Sequence, residues 1–288
     1  MQDWDLVIRT QRSHDYVLKL VLLRDSVYHR QLSARRHALH LAIGRATQQR
    51  SKGRLNEVSG TLAYHYSLTE QADLGFPFTA LAGGQCLRVF SLAEANRYFA
   101  SALALYKADP TCEDGDQFAK LLADYALTAR LSLEVKTLTG LADRVRPILE
   151  RFGDSSAHAH FLHHYISCLV WNGRYRDALE VSRALLAMAE RLDEDDVLAC
   201  ALVAEMSVSC YCGTLKNDEF EARRRKVEAL LVEMKDAYLQ NLFMAHLGWN
   251  EVGRGRMLGA HAAADRLIEA GQAMNDPLAL GYGMAMKG

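Results

Sequence analysis

The sequence predicts an all-α protein, a right-handed α-α superhelix built from stacked helix hairpins. Three observations carry this expectation. Only four prolines, Pro77, Pro110, Pro147 and Pro277, occur in 288 residues, and long Ala/Leu/Glu/Arg segments run between them. Apolar residues in those segments recur three and four positions apart, which is the composition and period of amphipathic helices. Runs of alternating Val, Ile, Thr and Tyr bounded by turn residues, the mark of strands, are missing. A hairpin pattern then returns along the chain at a step of roughly 41 residues, inside the range of helical repeats.

Taken in order, the first helical stretch is "DYVLKLVLLRDSVYHRQLSARRHALHLAIGRATQQR". Its dense "ARRHALH" reads as the start of an amphipathic helix. Ala38, Leu39, Ala42 and Ile43 are expected to face the core, with Arg35, Arg36 and His37 toward solvent or a neighbouring domain. Helices then come in pairs. "FPFTALAGGQCLRVF" precedes "SLAEANRYFASALALY", and "FAKLLADYALTARLSL" precedes "LADRVRPILERF". "HFLHHYISCLVW" precedes "NGRYRDALEVSRALLAMAERL", "VLACALVAEMSVSCY" precedes "DEFEARRRKVEALL", and "YLQNLFMAHLGW" precedes "GRMLGAHAAADRLIEAG". The closing "LGYGMAMKG" reads as the beginning of another helix.

The second helix of each pair carries a small residue with a partner seven positions on: Ala95 and Ala102, Ala142 and Leu149, Ala178 and Leu185, Ala222 and Ala229, Ala260 and Leu267. Two helices approach closely only where one presents little side chain, and alanine does this without glycine's helix penalty. Each hairpin buries its apolar face only against its neighbours.

This pattern resembles the tetratricopeptide repeat. Leu247, Gly248, Gly255 and Ala260 fall at that family's spacing, as do Gly173, Tyr175 and Ala178, and Ala95, Phe99 and Ala102. No copy carries the whole signature, and the step exceeds the family's usual 34 or so. Upstream, Asp25 with Tyr28, then Arg35, Arg36, Leu39 and His40, then Leu62, Ala63, His65 and Tyr66 follow the order of a junction found in large bacterial signalling proteins. In those, a class III adenylate or guanylate cyclase domain and a P-loop ATPase precede a helical-repeat array. The resemblance spans roughly residues 14 to 107. It implies a junction region over 1–70 and repeats over 71–288, in a piece of a longer protein.

The catalytic parts of that family do not carry over. The chain has no Gly-x-x-x-x-Gly-Lys-Ser/Thr phosphate cradle and no metal-binding cyclase aspartates. The glycines of "GRGRMLG" lack the Gly-x-Gly-x-x-Gly spacing and follow no strand. Charges nearly cancel, with 34 Lys and Arg against 35 Asp and Glu, so no net field draws the chain to nucleic acid or an anionic membrane. "RRRK" at 223–226 sits among Glu219, Glu221 and Glu228, as on a solvated face. The acidic "MQDWD" start lacks a signal peptide's layout, and no apolar run is long enough for a bilayer. Six scattered cysteines point to a reduced, cytoplasmic setting. Cys210 and Cys212 lie about 200° apart on a helix, so they read as small hydrophobes rather than joint ligands.

"HAHFLHHY" is the densest cluster. His160 and His164 have workable zinc spacing, but a third ligand and an activating carboxylate are missing from the pattern. Repeat register instead places His160, His163 and Trp249 on a concave groove, with Tyr175 in a hairpin contact. The resulting expectation is a non-catalytic interaction or regulatory module that needs no cofactor. Its partner is expected to be a protein, a peptide or another domain of the parent. Two other readings stand beside it: a ligand-sensing repeat domain of an ATP-dependent transcriptional regulator, and a metal-dependent hydrolase using His158 to His164.

Overall fold

The computed structural model describes residues 7–9, 16–18, 21–69, 71–108, 115–234 and 236–288. Cys112, Pro110 and the "MQDWD" start lie outside them. The described residues are overwhelmingly helical, as expected. The exception is a short antiparallel pair, β1 (Val7–Arg9) and β2 (Tyr16–Leu18), with Ile8 opposite Val17. The strand-free reading is corrected there: two three-residue segments are too short to show an alternating pattern. The helix expected to begin in "DYVLKLVLL" consequently starts later, as α1 (Val21–Arg30).

Thirteen more helices follow: α2 (Ser33–Arg50), α3 (Leu55–Ser67), α4 (Ala72–Arg88), α5 (Leu92–Ala108), α6 (Gly115–Leu131), α7 (Val135–Phe152) and α8 (Ser156–Trp171). Then come α9 (Tyr175–Leu192), α10 (Asp195–Cys212), α11 (Asn217–Glu233), α12 (Ala237–Gly253), α13 (Met257–Met274) and α14 (Pro277–Lys287). Several starts are capped by short acceptors that satisfy orphan N–H groups. Ser155 Oγ accepts from His158 N at 3.2 Å, and Asp236 Oδ1 accepts from Leu239 N at 3.0 Å. Turn glycines such as Gly173 (φ 70°) and Gly255 (φ 69°) supply the left-handed backbone that joins the hairpin helices.

The packing follows the repeat. α4 pairs with α5, α6 with α7, α8 with α9, α10 with α11, and α12 with α13. The first helices also touch in succession, α4 to α6, α6 to α8, α8 to α10, α10 to α12 and α12 to α14, which makes a continuous inner row. The central ones, α6, α8 and α10, are therefore buried around most of their circumference. α8 buries Phe161, Leu162, His163, Tyr165 and Ile166 in consecutive turns, whereas outer α9 buries one stripe through Ala178, Val181, Leu185 and Met188. The boundary expected at residue 70 falls between α3 and α4, which pack on one another through Leu62, Tyr66 and Phe78.

The small-residue rule holds where the hairpins cross most closely: Ala95, Ala142, Ala178 and Ala260 are fully buried. It fails in α11. Ala222 and Ala229 are exposed, and Phe220 and Val227, again seven apart, take the buried positions. The basic run after Phe220 forces this phase, because Arg223, Arg224 and Arg225 must stay near water or carboxylates.

α2 corrects a second expectation. Leu39 (48 % exposed) and Ile43 (45 %) point away from the core with Ala38 and Ala42, while His40 and Gly44 are buried against α3. Gly44 admits the Tyr66 ring so closely that a Cβ would lie 2.7 Å from it. Hydropathy misplaces the face because its central buried residue is a hydrogen-bonded histidine.

Candidate functional site

Two polar constellations stand out, one among α1 to α3 and one along the inner row. In the first, the junction residues converge. Tyr28 Oη lies 3.0 Å from His40 Nε2, and His40 Nδ1 lies 2.9 Å from His65 Nδ1, so one ring donates and the other accepts. The Arg36 guanidinium sits over the Tyr28 ring, 5.3 Å from its centroid. Burial holds both histidines below their ordinary range, reinforced at His40 by the His37 and Arg36 charges and at His65 by His40. Tyr66 donates to Gln48 Oε1 at 2.6 Å. This constellation pins α1, α2 and α3 together.

The second lies deeper along the row. A cavity of about 280 Å³ is walled by Asp124, Leu127 and Arg130 of α6, by Ala157, His160, His163 and His164 of α8, by Cys200 of α10, and by Tyr238 and Leu239 of α12. Four hairpins thus contribute to one recess. A second cavity, about 500 Å³ and mainly apolar, lies between α4 and α6 and shares Lys120 and Asp124 with the first. Tyr238 of the first cavity also meets Phe90, just past the end of α4, with ring centroids 5.9 Å apart.

Two carboxylates on this side have nearby polar partners. Lys120 Nζ lies 3.5 Å from Asp124 Oδ2, and His160 Nε2 lies 3.6 Å from Asp196 Oδ2. Burial raises the Asp124 carboxyl above its usual range, and Lys120 opposes the shift. The floor is different. Arg130 is only 3 % exposed, and its Nε and Nη1 find no hydrogen-bond partner among the described residues. His163, 2 % exposed, donates from Nδ1 to the Cys200 carbonyl at 3.0 Å. His164 Nδ1 and both ring nitrogens of His246 are likewise buried with no partner among the described residues. Burial, reinforced by the Arg130 charge, drives His163 and His246 down to about 3 and His164 well below its ordinary value. These imidazoles are neutral at physiological pH, and Arg130 is the charge that remains.

The structure therefore brings His160 and His163 together in the recess. Trp249 does not join them: it packs beside Ala245, Ala264 and Tyr282 in the α12–α14 cluster, its Nε1 buried with no partner among the described residues. Tyr175 is 40 % exposed and stacks on Tyr211 of the next hairpin, 6.0 Å between centroids. Arg130 and Asp124 escaped sequence reasoning because "LADYALTARLSL" reads as one more amphipathic helix. A basic residue inside an otherwise apolar inner helix was the available signal.

Other clusters stay structural. Among the described residues no group of three His, Cys, Asp or Glu side chains is placed to hold a metal ion. Within "RRRK", Arg224 pairs with Glu228 at 2.9 Å as the solvated-face reading expects, whereas Arg223 reaches across to the part-buried Glu205 of α10 at 2.6 Å. Cys210 is half-buried with its thiol pushed up to about 12, while Cys212 is exposed rather than buried, because it lies in the last turn of α10. No helix among the described residues is long and apolar enough to cross a membrane. No protein-family model matches this chain, and comparison with curated proteins finds no significant match.

Proposed function

We propose that this chain is a non-catalytic regulatory module of a cyclase- or ATPase-coupled bacterial signalling protein, and that it receives its signal in the inner-row recess. One observation carries the reading: the recess is walled by α6, α8, α10 and α12, the first helices of four different hairpins. In a stacked array each repeat is held only by its neighbours. An occupant touching four repeats stabilises one relative arrangement of all of them, by mass action on the bound form. The right-handed coiling that the repeat pattern implies would carry that change along the array. The convergence of Tyr28, His40 and His65 supports the junction resemblance, since one residue from each of its three segments meets the others in space.

The test is retention of small molecules. Purified protein dialysed against a small-molecule extract should hold back at least one compound, identified by mass spectrometry. Ala157→Phe, which fills the recess from the α8 wall, should release it. Equal retention by both proteins would contradict the reading.

A further inference from the structure

We infer that the recess binds a small organic anion, a carboxylate or phosphate carried on a compact apolar body, with Arg130 as the residue that grips it. The inference rests on the proposed recess and names its ligand class. Arg130 is 3 % exposed, lines the cavity, and has two guanidinium nitrogens without a partner among the described residues. A guanidinium stays charged in proteins and is shaped for two-point contact with a carboxylate or phosphate. Leaving it buried and unanswered is costly, so the structure holds a cation that is complete only with an anion beside it.

Among the described residues, the carboxylates near the recess are engaged elsewhere. Asp124 is engaged by Lys120, Asp196 by His160, and Asp236 caps α12. His164, whose Nδ1 is also buried and unpartnered, faces the same cavity and offers a second polar contact from the adjacent helix. Size and wall chemistry narrow the ligand further. About 280 Å³ holds a single ring with its head group, and Ala123, Leu127, Ala157 and Leu239 surround it with apolar surface.

The experiment is calorimetric titration of the whole chain with matched probes: benzoate, phenyl phosphate, benzamide, and an acetylated alanine tripeptide ending in a free carboxylate. Benzoate or phenyl phosphate should bind saturably, and the better of the two identifies the head group. Benzamide, equal in shape but neutral, should bind at least tenfold more weakly, and the tripeptide should not compete. Arg130→Met should weaken the anion at least tenfold, with Arg130→Lys recovering part of the loss. On binding, the Arg130 Nε–Hε resonance of the native protein should shift, a readout that does not depend on any variant folding. Ala157→Phe should abolish binding from a different wall. Anion binding that survives Arg130→Met, or tighter binding by the tripeptide, overturns the inference. Equal binding of benzamide and benzoate overturns the anion assignment but leaves the recess reading standing. No binding by any probe, with filled and unfilled proteins behaving alike in dialysis, removes both.

Discussion

Replacing Arg130 with methionine should make the unliganded protein more stable. Its guanidinium Nε and Nη1 are buried with no partner among the described residues, and a buried unsatisfied donor costs about 1–3 kcal/mol, more when charged. Methionine keeps a similar apolar stem and volume, so contacts with the surrounding helices largely survive. Exchange of a buried charge for a well-packed apolar group of similar size is neutral or stabilising by about 1–4 kcal/mol in general. Two unsatisfied donors on one charged group argue for the upper half, about 2–4 kcal/mol. Removing the charge also relieves the field on His163, His164 and His246, which adds in the same direction near pH 6. Urea unfolding followed by circular dichroism reads the change as a midpoint shift of about 1 M. A variant that unfolds at lower urea would refute the reasoning, because it would show that Arg130 already holds a stabilising partner. The same substitution is predicted to weaken anion binding, so stability and binding should move in opposite directions.

Ala178→Leu and Ala260→Leu should each cost about 1–3 kcal/mol by overpacking a fully buried crossing. Ala222→Leu should fall within about 0.5 kcal/mol, since that residue is exposed; equal costs at all three sites in urea unfolding would contradict the packing. The folded-state values of His163 and His246 lie at about 3, below the ordinary 6.5, so the unfolded chain binds more protons between those values. Stability is therefore complete above pH 6.5 and falls as pH drops toward 3, by about 1.4 kcal/mol per pH unit for each histidine. Urea midpoints should drop clearly from pH 7 to pH 5, and a flat profile there would place both rings in water. The isolated chain should neither hydrolyse ATP nor form cyclic nucleotide, and turnover above background in a contaminant-free sample would contradict that.

The hairpin series was legible because helix period and small residues are local signals: Ala95, Ala142, Ala178 and Ala260 all reach the core. The phase of α2 and α11 was not, because tertiary partners decide it. His40 is buried since Tyr28 and His65 satisfy it, and Phe220 displaces Ala222 since the following arginines need water or carboxylates. The floor of the recess was hidden for a similar reason. "HAHFLHHY" announces itself by composition, and His160 and His163 do reach the cavity. Arg130 is one residue in an ordinary-looking helix, and only the meeting of four hairpins leaves it buried without a carboxylate.

The claim that one occupant bridges four repeats is tested most directly by amide hydrogen exchange with and without saturating benzoate. The account predicts slowed exchange in α6, α8, α10 and α12 together, and no change in α2 and α3. Protection confined to a single hairpin, or none at all with the ligand bound, would contradict it.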